Sequence, residues 1–303
     1  MTDITALHQF FRDNFPLEIL KFEEPMSKHT SFRIGGPASV MVFPRSVEEL
    51  SSVLQKSALL DCKPVILGAG TNVLAPDEGM ATLVICLKDA LVGKELLPDN
   101  RIRVFAGETM TKAAVFAANH GLSGLEFAHG IPGTVGGGVY MNAGAYGGEI
   151  CMVCESVDVM SRTGETRTLA AEEMSFSYRH SVLEDTGDIV VSAVFQLTPA
   201  APEEIREKMK ELMAKRSASQ PLDMPSAGSA FKRPVGGYAA ALIDQAGLKG
   251  FAVGGAAIST KHAGFAVNMG DATAEDVKDL LKQVSDRVFE QTGIRLEPEV
   301  RIW

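Results

Sequence analysis

The sequence predicts an α+β protein in which a large N-terminal domain, residues 1–200, is followed by a small α+β domain, residues 201–303. Three observations carry this. Short β-like runs such as SVMVFP, PVILG, ATLVICL and RIRVFAG alternate with helical stretches. The composition changes near Pro199 to Pro202, where PAAPEEIREKMKELMAKR opens a charged helix with proline and acidic residues in its first turn. Two glycine-rich loops, Leu67 to Leu74 and Gly130 to Gly148, interrupt the pattern of strands and helices.

Each element follows from its spacing. Ile4 to Phe15 repeats apolar residues at helical intervals, as do VEELSSVLQKSALL and MTKAAVFAANHG. VDVMSRTGETRTLA reads as a hairpin turning at Arg162 to Gly164, and DIVVSAVFQLTPA as a further strand. Beyond the boundary come a glycine-containing loop (PSAGSAFKRPVGG), an alanine-rich helix, two short strands (FAVGGAAIS and GFAVNMG), a helix from Thr273, and the closing strand LEPEVRIW. No repeat of fixed period and no low-complexity linker is present.

Composition narrows the function. The 303 residues are 46% hydrophobic and 22% charged, ordinary for a folded globular protein. A formal charge of -9 and a pI near 5.3 give no basic footprint, which argues against nucleic acid or an anionic membrane as the main partner. An anionic substrate would need a local basic pocket. The N-terminus lacks a basic segment followed by an apolar core, and no stretch reads as a membrane span, so a cytoplasmic protein with reduced cysteines is expected. Cys151 and Cys154 form a C-x-x-C pair, but no second pair completes a zinc site, and small apolar residues at a strand start explain them. The histidines show no ligand spacing, so no metal is expected.

Both glycine loops have the chemistry of phosphate cradles. Glycine admits close backbone approach, so successive N–H groups can converge on a pyrophosphate without a lysine. LGAGTNVL begins like a dinucleotide fingerprint, but Val73 takes the third glycine position and the chain beyond looks extended rather than helical. The second loop is too long for a hairpin and mixes Thr134 and Asn142 with Tyr140 and Tyr146, which points to ligand contact.

In order along residues 25 to 303, SFRIGG, LGAGTNVL, GLSGLEFAHGIPGTVGG, MNAGAYGG, SYRHS, GSAFKRP, AGLKG and LEPEVRI resemble the motif series of the UDP-N-acetylenolpyruvoylglucosamine reductase family. The resemblance implies a vanillyl-alcohol-oxidase-type FAD-binding fold of two α+β subdomains, with a C-terminal domain covering the substrate. The chain resembles the shorter form of the family, without the inserted tyrosine loop. It departs at Gly138, where alanine is common, and at Arg233, where asparagine is frequent. The implied cofactors are FAD and NADPH, and the implied partner is one small-molecule substrate, UDP-N-acetylglucosamine enolpyruvate, bound by a monomer.

Site residues follow motif by motif. The resemblance implies cofactor contact by Arg33, by Gly68, Ala69, Gly70, Thr71, Asn72 and Val73, and by Pro132, Gly133, Thr134, Val135 and Gly136 with Asn142, Ala143 and Gly144. The implied reaction delivers hydride from reduced flavin to the enolpyruvyl methylene carbon, and the charge left beside the carboxylate must be stabilised and protonated. Arg179 matches the catalytic arginine, and its planar fork suits a carboxylate. Ser229 matches the proton donor and Glu299 the catalytic glutamate, although spacing alone does not choose between Glu299 and Glu297. Tyr146, Arg216 and Lys232 are candidates for gripping the diphosphate and sugar. A flavin oxidase of the same fold, or a nucleotide-binding module without catalysis, would have no reason to keep Arg179, Ser229 and Glu299.

Overall fold

The structure is a computed structural model and describes residues 4–303. The chain divides into two compact units that interleave along the sequence. The first comprises the chain up to Phe22, Ser39–Ala69 and Ala81–Lys215; the second comprises Glu23–Ala38, Gly70–Met80 and Arg216–Trp303. The domain boundary expected at 200/201 follows chain order, whereas by compactness the last division falls between Lys215 and Arg216, inside the helix Pro202–Ser219.

The first unit is built around a five-stranded antiparallel sheet ordered Thr166–Ala170, Cys154–Met160, Ile189–Gln196, Arg101–Phe105 and Lys94–Leu97. Its central strand, Ile189–Gln196, is buried through Phe195, which explains why it reads as a continuous apolar run rather than an alternation. The VDVMSRTGETRTLA hairpin forms as expected, its ends tied by Ser161 N–H to Glu165 O at 2.8 Å. A second sheet orders Leu20–Pro25, Pro37–Val42, Met80–Cys86 and Val65–Leu67, the last two parallel. Helices Ile4–Asn14, Val47–Leu59 and Met110–Asn119 bury Leu7, Phe11, Leu50, Leu54, Ala113 and Ala117 in one core. Ser46 and Thr109 cap the second and third helices by accepting from the N–H groups of Glu49 and Lys112.

The Gly130 to Gly148 segment is not wholly loop: Val135–Tyr140 forms a short helix whose cap is Thr134, accepting from Gly137 N–H at 3.3 Å. Gly138 packs here against Met110, whose Sδ lies 2.7 Å from where a Cβ would stand. The methionine fills the room that an alanine would use.

In the second unit, Ser226–Ser229, Phe265–Asn268, Ala256–Ile258 and Ala252–Val253 form an antiparallel sheet in that order. FAVGGAAIS is therefore two strands turning at Gly254 and Gly255 rather than one. The helix Ala274–Thr292 starts at a capping box between Thr273 and Asp276 and buries Val277, Leu280, Leu281, Val284 and Val288. Phe32, Ile34 and Leu74 belong to the same core, and Val73–Leu74 pairs in parallel with Arg301–Ile302. Those contacts draw two early segments into the unit with the C-terminus, which no pattern local in sequence announces. The closing strand is shorter than LEPEVRIW, because only Arg301–Ile302 is regular.

Candidate active site

The first glycine loop spends its carbonyls on the protein. In the first unit the Cys86 thiol donates to Gly68 O at 4.0 Å. In the second, Ser31 donates to Gly70 O from its N–H at 2.9 Å and from its hydroxyl at 3.2 Å, and Arg301 N–H donates to Asn72 O at 3.0 Å. A trans peptide directs its N–H opposite to its C=O. The N–H groups of Ala69 and Thr71 therefore point away from those partners, the orientation an anion cradle needs. Gly70 has φ of +62°, and a Cβ there would lie 2.1 Å from His29 O. A Cβ at Gly68 would lie 2.5 Å from Thr134 Oγ1, which brings the two glycine loops together in the first unit. Beside the second loop, His129 Nδ1 is buried with no hydrogen-bond partner among the described residues. In the first unit, the tightly enclosed Gly68, the outward Ala69 amide and the orphaned His129 nitrogen fit a bound dinucleotide. Arg33 is exposed at φ of +57° between buried Phe32 and Ile34, in a turn closed by Thr30 Oγ1 donating to Ile34 O at 2.9 Å.

Two turns in the first unit display the arginine and tyrosine. Ser177 and His180 exchange both backbone hydrogen bonds, at 3.1 and 3.2 Å, leaving Tyr178 and Arg179 as a two-residue turn with Arg179 at φ of +57°. The guanidinium lies over the Tyr178 ring, 5.1 Å from its centroid. Gly144–Ala145 pairs with Gly148–Glu149, so Tyr146 and Gly147 form the loop, both with positive φ, as the twist of a two-residue hairpin demands. Tyrosine is a costly residue at that position, and it stands 45% exposed at the tip.

Asn142 was expected to touch the cofactor, yet its side chain is 2% exposed residue surface and turned into the protein. Its Nδ2 donates to Glu149 Oε2 and to Ser177 O, each at 3.1 Å, and its Oδ1 accepts from Cys151 N–H at 3.0 Å. Thr134, also fully buried, is occupied as a helix cap, and the N–H groups of Val135 and Gly136 donate to Glu108 O and Ala106 O. The parts of the second loop that sequence motifs highlight are therefore partly scaffold.

In the second unit Glu299 N–H donates to Ala230 O at 3.0 Å and Lys232 N–H to Glu297 O at 2.8 Å, so the segments carrying Ser229 and Glu299 form one short antiparallel ladder. The structure separates the two carboxylates that spacing could not. Glu297 is exposed and ion-paired with Lys232, whereas Glu299 is half-buried. Lys232 thus already has an acidic partner. Arg216 is buried on the helix Pro202–Ser219 and donates from Nη1 to Gln220 Oε1 at 3.1 Å.

The remaining candidates are quieter. Cys151 is exposed and Cys154 buried; burial pushes the Cys154 thiol up to about 12 and raises Cys151 as well, the reverse of a reactive pair. His180 pairs with Glu184 at 3.2 Å and Asp185 at 3.5 Å. Among the described residues no group of three or more His, Cys, Asp or Glu is placed to hold a metal, and no helix is long and apolar enough to cross a membrane.

Residues 38–170 match the FAD binding domain family, and residues 220–303 match the C-terminal domain of UDP-N-acetylenolpyruvoylglucosamine reductase. A UDP-N-acetylenolpyruvoylglucosamine reductase from Agathobacter rectalis is 45% identical over 291 residues, covering 92% of each chain. The crystal structure of UDP-N-acetylenolpyruvylglucosamine reductase (MurB) from Thermus caldophilus superposes with a TM-score of 0.80 at 37% identity, over 94% of this chain and 99% of that one. An alkyldihydroxyacetonephosphate synthase, 18% identical, matches 63% of this chain and 40% of its own with a TM-score of 0.50, a likeness of fold alone. The expected vanillyl-alcohol-oxidase-type FAD-binding fold is borne out.

Proposed function

Since the chain belongs to the UDP-N-acetylenolpyruvoylglucosamine reductase family, we propose that it reduces UDP-N-acetylglucosamine enolpyruvate to UDP-N-acetylmuramate with NADPH and FAD, with Arg179, Ser229 and Glu299 as its catalytic residues. The observation that carries the reading is the 45% identity over 92% of both chains.

When bound, FAD supplies the two-electron carrier between NADPH and the enolpyruvyl double bond. Gly68 to Val73, Pro132 to Gly136 and Arg33 would hold it, the first loop through backbone amides and the second through the close approach its glycines allow. Arg179 meets the substrate carboxylate, and its charge stabilises the negative charge that develops there once the methylene carbon has accepted hydride. The contact of its guanidinium with the Tyr178 ring limits its freedom before substrate arrives, which lowers the ordering cost of binding. Ser229 gives a proton to the neighbouring carbon, and Glu299 polarises the substrate from the same end of the short ladder they share. Tyr146 meets the diphosphate or sugar from its hairpin tip, while Arg216 and Lys232 contribute positive charge. The protein acts as a cytoplasmic monomer, which light scattering and cell fractionation would check.

Anaerobic spectroscopy tests the function. NADPH should bleach the visible flavin bands, and enolpyruvyl substrate should restore them with formation of UDP-N-acetylmuramate. A bleached flavin that the substrate leaves reduced would overturn the reading.

A further inference from the structure

Three non-glycine residues with positive φ, Asn142, Tyr146 and Arg179, lie in segments that one amide joins. Both donors of Asn142 are spent, one on Glu149 beyond the Tyr146 hairpin and one on Ser177 at the base of the Arg179 turn. Rotating the amide by half a turn would set its oxygen against a carboxylate and a carbonyl, so the partners fix its orientation. Ser177 O in turn accepts from both His180 N–H and Asn142, filling both lone pairs. The far side of the turn is tied separately: Ser181, fully buried, donates from Oγ to Tyr140 O at 2.8 Å.

A two-residue turn closed by two hydrogen bonds has little stiffness of its own. We infer that Asn142, seconded by Ser181, is a positioning residue that holds the Arg179 turn and the Tyr146 hairpin in one fixed relation. It does so by serving as the common anchor of both rather than as a cofactor ligand. This rests on the proposed function, which makes Arg179 and Tyr146 the groups that meet the substrate. The amide is buried with both donors spent, and it is unable to donate to a ligand without breaking a bond to one of these segments. Its loss should leave the flavin in place and disturb the substrate step alone.

Asn142→Asp combined with Glu149→Gln makes the test. The aspartate keeps the acceptor for Cys151 N–H, the glutamine donates to it in place of the lost interaction with Glu149, and the bond to Ser177 O gives way to a contact between two acceptors. We expect wild-type flavin content and rate of bleaching by NADPH, with a somewhat lower melting temperature. Calorimetric substrate affinity should weaken, and reoxidation by enolpyruvyl-UDP-N-acetylglucosamine should slow about 10- to 100-fold, the cost of misplacing a catalytic group by about 1 Å. Adding Arg179→Lys should then cost less than it does in the wild type, because an arginine already misplaced has less to lose. Ser181→Ala, which removes the second tie, should show the same split in milder form, and it carries the test if the double variant does not fold. Unchanged reoxidation, or loss of flavin with normal reoxidation per flavin retained, would refute the positioning role. Wild-type protein that the substrate cannot reoxidise would instead refute the function itself.

Discussion

Glu297 is ion-paired with Lys232, and this contact divides the labour between two carboxylates only two residues apart. Lys232 N–H also donates to Glu297 O, so main chain and side chains register the same rung. Glu299, on the next rung, is half-buried, and its N–H donates to Ala230 O.

The two glutamates should therefore respond differently to loss of charge. Glu299→Gln should lower kcat by about 100-fold, as expected when a positioned catalytic carboxyl is removed. Glu297→Gln breaks an exposed ion pair worth about 1 kcal/mol or less, so steady-state turnover should stay within a few-fold of wild type. Equal losses in the two variants would mean that the register does not select the catalytic carboxylate.

Tyr146 presents the opposite balance of stability and use. Its φ of +54° costs a tyrosine about 1 kcal/mol or more, and asparagine tolerates that conformation far better. Tyr146→Asn should therefore raise the melting temperature while increasing the KM for the enolpyruvyl substrate. A variant less stable than wild type would show that the ring contributes packing rather than substrate contact.

Gly70 admits no such exchange. A Cβ there would collide with His29 O, and φ of +62° already disfavours a branched residue. Gly70→Val should be pale as purified and lower melting. Stoichiometric flavin at unchanged stability would reduce the loop to a turn.

His262 introduces a pH dependence. Its Nδ1 accepts from Gly264 N–H at 3.1 Å, which requires the neutral ring, and burial holds its pKa below the ordinary histidine value. Gly264 O in turn accepts from Ala230 N–H, next to Ser229. The unfolded chain binds a proton at His262 more readily than the folded one, so the stability this group contributes is full above its unfolded pKa and declines as the pH falls below it. The melting temperature should drop between pH 7 and pH 5, and His262→Gln should drop by less over the same interval. Parallel profiles would dismiss the histidine.

What the sequence discloses depends on whether the signal is local. The helix from Thr273, the Arg162 to Gly164 hairpin and the helix in MTKAAVFAANHG are legible because each is written in adjacent residues. The glycine loops announce a ligand for the same reason. The grouping of Phe32, Ile34 and Leu74 with the C-terminal core is not legible, because it depends on contacts made across more than two hundred residues. The contacts of Asn142 are hidden in the same way. It lies in a ligand-like motif, and its amide donors are engaged by Glu149 and Ser177, the latter remote in sequence.

The chemistry itself separates Ser229 from the rest of the machinery. Protonating the substrate carbon is a step distinct from the reduction of flavin by NADPH, and a serine hydroxyl has no part in the latter. In anaerobic stopped flow, Ser229→Ala should bleach at close to the wild-type rate, while reoxidation by enolpyruvyl-UDP-N-acetylglucosamine slows by about 100-fold or more, the loss expected for a positioned acid. Substrate affinity should change little, since the hydroxyl is small and the carboxylate contact is intact. Arg179→Lys should instead weaken substrate binding along with reoxidation, because a point charge replaces a two-pronged donor. Equal slowing of both half-reactions in Ser229→Ala would indicate a displaced flavin, and normal reoxidation would remove the serine from the proton path, leaving a group close to Glu299 or Lys232 as the source.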